Sequence, residues 1–153
     1  MKIKNQRILC ACLVTANLLF IWGNSLLPGS VSGDMSSGVL AYLEEILGQY
    51  CHIGEFFLRK LAHFSEFACL GLLLAWLFRL LRQRGFHRFT LPLLCGMIAA
   101  CADETIQIFS PQRGPSVIDV WIDTAGVATG ALVLLLGHYL FAKYRSHNGG
   151  NTK

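Results

Sequence analysis

The sequence has few charged residues. Asp, Glu, Lys and Arg make up 14% of its 153 residues, whereas hydrophobic residues make up 54%. Soluble domains usually carry about 25% charged residues, so this composition excludes an ordinary soluble domain and is typical of a membrane protein. The net charge is +4, but the basic residues gather beside apolar runs, as membrane topology requires. We therefore predict no nucleic-acid partner.

The sequence also lacks the motifs of several common site classes. It contains no HExxH, no glycine-rich phosphate loop and no CxxC pair. Most of its six cysteines lie in or beside apolar runs, and we predict that they pack as small apolar side chains. These patterns assign neither a disulfide framework, nor a metal site, nor a cofactor.

What the sequence does contain is four long apolar segments, at 8–28, 56–81, 89–109 and 117–141. Each is long enough to cross a bilayer as a helix. They predict an all-α membrane protein, a four-helix bundle in one domain (1–145) followed by a polar tail (146–153). The first segment resembles a signal peptide in position, but it carries scattered polar residues and no clear cleavage site. A retained first helix is therefore preferred.

The connection between the first two segments contains a shorter pattern. Gly29–Gly38 is rich in Gly and Ser and predicts a loop. A helix capped by Ser36 or Ser37 is expected to follow, because apolar residues then recur at helical spacing from Val39 onward. This amphipathic helix is too short to span and is expected on the membrane surface or over the bundle.

The charges also predict an orientation. If the amino terminus is cytoplasmic, ten of the thirteen basic residues lie on the inner side, and all nine acidic residues lie on the outer side or in the outer half of a helix. Basic residues favour the cytoplasmic side. Both termini are therefore predicted to be cytoplasmic.

Ionisable residues in three segments are predicted to lie at one depth. Lys60, His63 and Glu66 recur every three residues and share a helix face, with Glu66 about 9 Å along the axis from Lys60. Glu104 precedes the outer end of the third helix by about 8 Å. Since these helices alternate in direction, the side chains should meet in the outer leaflet. We call the following nine residues the polar cluster: Lys60, His63, Glu66, Asp103, Glu104, Gln107, Arg113, Asp119 and Asp123.

A small-residue pattern continues one face of the cluster. Gly126 and Gly130 form a GxxxG spacing after Asp119 and Asp123, at intervals that keep them near the same helix face. Such glycines let two membrane helices approach closely. We expect them to serve helix packing.

Three interpretations of the polar cluster remain open from the residues alone. It is a structural network between helices, or a pocket in which Lys60 and Arg113 bind the phosphate or carboxylate of a lipid-like ligand. Alternatively it is a metal or acid/base centre, with catalysis unassigned. The candidate catalytic groups are then His63, Glu66, Asp103 and Glu104. A transport path is disfavoured because polar residues are sparse in the inner half.

The chain resembles the VanZ-like family in a combination of motifs. These are Arg59-Lys60-Leu61-Ala62-His63-Phe64-Ser65-Glu66-Phe67, then Asp103-Glu104-Thr105-Ile106-Gln107, Arg113, and Ser116-Val117-Ile118-Asp119. Asp123 stands where that family often has Asn, and Gly126 and Gly130 follow it. The resemblance extends over most of the chain.

The resemblance implies a multi-pass protein of the bacterial cell membrane. The named member of that family is associated with low-level teicoplanin resistance, and no catalytic mechanism is carried over from it. The implied partners are membrane lipids and a lipid-linked cell-wall precursor or glycopeptide. The alternatives are a membrane-embedded hydrolase or transferase acting on an envelope lipid, and a structural network without a ligand. Neither enzymatic activity nor oligomeric state is assigned.

Overall fold

The computed structural model describes residues 3–47 and 54–149, which form five helices. They are α1 (Ile3–Ser25), α2 (Gly29–Leu47), α3 (Glu55–Leu80), α4 (His87–Gln107) and α5 (Val117–Gly149). Four of them are long and apolar enough to cross a membrane: α1, α3, α4 and α5 up to Ser146. The predicted all-α architecture with four spanning helices and a helix in the first loop is confirmed.

The core lies where the four spanning helices meet. Ile21 of α1, Phe67 and Leu70 of α3, Ala100 of α4 and Val127 of α5 are fully buried there. Large apolar side chains on the outer faces remain exposed, including Leu19, Phe20, Trp121 and Leu136. Exposed apolar faces around a small packed core are the expected surface of a bundle solvated by lipid.

The closest helix contact joins α3 and α5 through glycines. A Cβ atom on Gly126 would lie 2.5 Å from the carbonyl oxygen of Phe64, and one on Gly130 would overlap the carbonyl oxygen of Ala68. The same closeness is seen from α3, where a Cβ on Gly71 would overlap the Val127 carbonyl of α5. The backbones are therefore in direct contact, and this contact brings the amino-terminal turns of both helices side by side.

The predicted loop at Gly29–Gly38 is wrong, because α2 begins at Gly29. The Ser36 and Ser37 hydroxyls do not cap a helix start; they donate to the carbonyls of residues four positions earlier, each at 3.0 Å. Such bonding satisfies serine inside a helix. Pro28 precedes the first turn, where its fixed φ is tolerated, and its carbonyl accepts the Ser32 amide at 3.1 Å. The predicted apolar face lies partly outside the described side chains.

Three helix ends also differ from the prediction. Helix α1 begins at Ile3 rather than residue 8 and ends at Ser25 rather than residue 28. Helix α5 continues to Gly149, so the predicted polar tail at 146–153 is helical in its described part. Lys and Arg are good helix formers, and no proline interrupts either stretch of helix. Polar residues at the membrane surface end the membrane-spanning part of a segment, but the helix itself continues through them.

The α4–α5 connection is held against the ends of α1 and α2. The Ser110 hydroxyl donates to the Ser25 carbonyl at 2.7 Å, and the Gly29 amide donates to the Pro111 carbonyl at 3.0 Å. A Cβ on Gly29 would overlap the Gln112 carbonyl oxygen, so this approach requires glycine. These contacts fix the position of Arg113 relative to the helices.

Candidate functional site

A cavity of about 340 Å³ lies between α3, α5 and the α4–α5 connection. Its wall combines basic, acidic and amide side chains with apolar ones at Phe56, Ile118 and Ile122. Seven of the nine residues of the polar cluster line it. They are Lys60, His63, Glu104, Gln107, Arg113, Asp119 and Asp123.

Lys60 and Asp119 form an ion pair across the α3–α5 contact. Each side chain is only 19% exposed. The Lys60 Nζ also lies 5.1 Å from the centroid of the Phe56 ring, within cation–π distance. Lys60 is therefore held by the protein itself, and much of its charge is already compensated.

Arg113 is placed differently. It is half-buried, and its Nη1 donates to the Ser25 carbonyl at 3.5 Å. Within residues 3–47 and 54–149 it makes no ion pair. Burial lowers the pKa of Arg113 below its ordinary value, and the nearby charge of Arg59 lowers it further. An arginine nevertheless stays protonated. The cavity thus contains a guanidinium without a direct ion-pair partner among the described residues, although the carboxylates of Asp103, Glu104 and Glu66 lie near enough to offset part of its charge.

The acidic end of α4 is buried and hydrogen-bonded on one side. The Gln107 Nε2 donates to Asp103 Oδ2 at 2.9 Å and lies 3.4 Å from Glu104 Oε1. The Ser116 backbone amide donates to Glu104 Oε2 at 2.6 Å. Gln107 and Ser116 therefore orient the two carboxylates, and Glu104 fastens the start of α5 to α4.

His63, Asp103 and Asp123 converge beside the cavity, where His63 and Asp123 line the wall and Asp103 does not. One ligand atom from each lies within 4.8 Å of the other two. Asp103 is fully buried and Asp123 is 1% exposed. Both oxygens of Asp123 and the Oδ1 of Asp103 have no hydrogen-bond partner in the described structure. Among the described residues, this is the group whose ligand atoms are close enough to hold a metal ion.

Glu66 lies apart from the main cavity. It lines an adjoining space of about 210 Å³ between α1, α2 and α3, together with Asn24. The Asn24 Nδ2 donates to Glu66 Oε1 at 3.1 Å, while Glu66 Oε2 has no partner. Arg59, His63 and Arg113 border both spaces. The structure therefore brings together all nine residues of the polar cluster, but around two connected cavities and a buried carboxylate at Asp103.

Several residues at the site were not included in the predicted cluster. Asn24 and Ser25 come from the end of α1, and Gln112 and Ser116 from the α4–α5 connection. The sequence could have indicated Asn24 through its depth in the membrane, because Asn24 lies at the same end of the bundle as Glu66. The roles of Ser25 and Ser116 depend on their backbone groups, which side-chain patterns do not reveal.

One protein-family model matches a part of the chain that includes the whole candidate site. The model of the VanZ/LLP1 family matches residues 8–139, which include every residue of the polar cluster and the three glycines at the α3–α5 contact. No curated protein and no solved structure matches the chain. Four membrane-length helices accompany this match. The chain is a multi-pass membrane protein that belongs to the VanZ/LLP1 family.

Proposed function

We propose that this protein binds a phosphate-bearing lipid headgroup of the cell envelope in the 340 Å³ cavity. The supporting observation is Arg113, a half-buried guanidinium without an ion-pair partner among the described residues. Burial without a direct ion-pair partner is costly for such a group, and a phosphate would satisfy it with two parallel charge-assisted hydrogen bonds. The ligand belongs to a phospholipid or to a polyprenyl-linked cell-wall precursor.

The basic side chains divide their roles. Lys60 is paired with Asp119 and positions the cavity wall. Arg59 and Arg113 are the cations left for the ligand, and Arg113 is the better anchor because its guanidinium is planar and only half-exposed. Arg59 lies 6.0 Å from the Phe56 ring centroid, at the outer limit of a cation–π contact.

The cavity rim suits the chain of a lipid. Phe56 and Ile118 line the cavity and are 66% and 70% exposed. An acyl or prenyl chain that leaves the cavity past these side chains stays in contact with apolar surface and with the bilayer. The site therefore favours an amphiphile over a free phosphate ion, since only the amphiphile uses both surfaces.

The cavity faces the outer leaflet in this proposal. The charge distribution supports that orientation, because basic residues concentrate at the opposite end of the bundle. Single cysteines at Arg84 or Gln112, in a background in which all six native cysteines are replaced by alanine, test it with a membrane-impermeant maleimide on intact cells. Labelling at position 112 and protection at position 84 are expected; the reverse pattern overturns the orientation.

Family membership supports a consequence for glycopeptides. We propose that occupancy of the cavity alters an envelope component that teicoplanin needs, and so raises resistance. Expression of the wild-type protein in a susceptible strain is expected to raise the inhibitory concentration of teicoplanin, and Arg113→Gln at equal protein level is expected to abolish the increase. Equal resistance with both proteins would reject a role for the cavity.

The binding proposal is tested by identifying co-purified lipids. Wild-type protein extracted in mild detergent is expected to be enriched in phosphate-bearing anionic lipids relative to the membrane it came from. Arg113→Gln should lose the enrichment. Arg84→Gln is the matched control, since Arg84 is exposed and lies outside the cavity. Lipid profiles that are identical in all three proteins contradict the proposal.

A further inference from the structure

Beside the cavity lies a group of side chains that the binding of a headgroup does not explain. His63, Asp103 and Asp123 come from three helices, α3, α4 and α5, and present one ligand atom each within 4.8 Å of the others. They are separated by 40 and 20 positions in the chain. Only the assembled bundle creates this group.

The buried carboxylates are incompletely satisfied. Asp103 and Asp123 are at most 1% exposed, yet three of their four oxygens have no hydrogen-bond partner in the described structure. A buried polar atom without a partner retains the full penalty for its loss of hydration. A cation bound between the two carboxylates would satisfy these oxygens and offset the cost of burying them.

We propose that His63, Asp103 and Asp123 bind one divalent transition-metal ion. One imidazole nitrogen and two carboxylate oxygens form a mixed ligand set that suits Zn²⁺ or Mn²⁺ better than Mg²⁺ or Ca²⁺, which prefer oxygen ligands alone. The two aspartates balance the charge of the ion. Three protein ligands leave further coordination positions for water or for a ligand in the cavity.

The geometry requires only a small adjustment. Ligand atoms about 2.1 Å from a tetrahedral ion lie about 3.4 Å from one another. Contraction from 4.8 Å amounts to shifts of about 1 Å at each side-chain end, which small χ rotations supply. The ion has a route of entry, because His63 and Asp123 line the open cavity.

The surrounding residues support a metal site. Gln107 donates to Asp103 Oδ2 and leaves Oδ1 directed elsewhere, as an outer-sphere partner of a metal ligand does. Lys60 and Arg113 also face this part of the cavity. They reduce affinity for a cation, but Lys60 is already paired with Asp119, and the charge of Arg113 is partly offset by the carboxylates of Asp103, Glu104 and Glu66.

The test uses metal alone on the full chain. Protein carrying a tag without histidine is purified in detergent, dialysed against a chelator and titrated with Co²⁺, followed by visible absorption and by elemental analysis. About one ion per chain is expected, displaced by Zn²⁺. Asp123→Asn, Asp103→Asn and His63→Gln should each weaken binding at least 100-fold, since loss of even an outer-sphere partner typically costs 10–100-fold.

Matched controls make the same chemical changes elsewhere. Asp34→Asn and His138→Gln alter exposed residues outside the cavity and should leave binding unchanged. Affinity that is equal in wild type and Asp123→Asn overturns the proposal, as does wild-type protein that takes up no ion. Should the variants fail to fold, pulsed EPR of bound Mn²⁺ in the wild type decides: coupling to one imidazole nitrogen is expected, and its absence overturns the site.

This inference does not rest on headgroup binding. The titration contains no added lipid, and lipid binding can be measured in the presence of a chelator. Each proposal can therefore fail while the other stands.

Discussion

The α3–α5 contact predicts a sharp difference between two glycines of the same helix. Gly130 meets the backbone of α3, where an added Cβ would overlap the Ala68 carbonyl oxygen and lie 2.9 Å from the Leu72 amide nitrogen. An added Cβ on Gly137 would have no atom within 4 Å. A Gly→Ala substitution adds the same methyl group at both positions, but in two different surroundings.

The structure sets the expected magnitudes. At Gly130 the helices must separate to admit a methyl group, and such overpacking costs about 1–3 kcal/mol. At Gly137 only the helix preference for alanine over glycine remains, which stabilises by up to about 1 kcal/mol. Gly130→Ala should therefore lower the free energy of unfolding, whereas Gly137→Ala should leave it unchanged or raise it.

Reversible unfolding of the detergent-solubilised protein, followed by tryptophan fluorescence and circular dichroism, measures both variants against wild type. The reasoning is refuted if Gly130→Ala is as stable as Gly137→Ala, because α3 and α5 would then not be in backbone contact. Lipid binding by Gly130→Ala provides a second readout. Separation of the helices also moves the Lys60–Asp119 pair, so reduced binding is expected.

Two further predictions concern polar contacts. Lys60→Met and Asp119→Asn should each destabilise by about 1–3 kcal/mol, because each leaves a charge that is only 19% exposed without its partner. The double variant should cost less than the sum of the two, and a fully additive double-mutant cycle would show that the pair does not form. Asn24→Leu should destabilise by about 1–3 kcal/mol through the loss of its hydrogen bond to Glu66. The control Thr15→Leu changes an exposed position of α1 and should not destabilise the protein. Equal unfolding midpoints for Asn24→Leu and Thr15→Leu would reject the Asn24–Glu66 hydrogen bond.

Much of the fold follows from patterns that are local in sequence. Apolar length predicts the four spanning helices, because a bilayer admits little else. The exception is α2, where Gly and Ser predict a loop and the structure has a helix from Gly29. The local preference was overridden by contacts that sequence spacing does not contain, such as the Gly29 amide bonded to the Pro111 carbonyl.

The site was predicted in position but not in detail. Counting residues from helix ends places the polar cluster at one depth, and in the structure eight of its nine residues line the two cavities while Asp103 is buried beside them. Depth does not determine how each helix is rotated. Hence the sequence predicts that both Lys60 and Arg113 bind an anionic group, whereas the structure pairs Lys60 with Asp119. Which ionisable residues of the cluster meet, here His63, Asp103 and Asp123, likewise depends on how each helix is rotated about its axis.

The central claim is that Arg113 anchors a phosphate-bearing headgroup. It is tested most directly by the dissociation constants of dioctanoyl phosphatidylglycerol and of farnesyl phosphate for wild type, Arg113→Gln and Arg84→Gln, measured in detergent with a chelator present. Hydrogen bonds to a charged group contribute about 1.5–3 kcal/mol, which corresponds to about 10–150-fold in affinity. The account predicts a loss of that size with at least one of the two ligands in Arg113→Gln and none in Arg84→Gln. Equal affinities in wild type and Arg113→Gln for both ligands would contradict it.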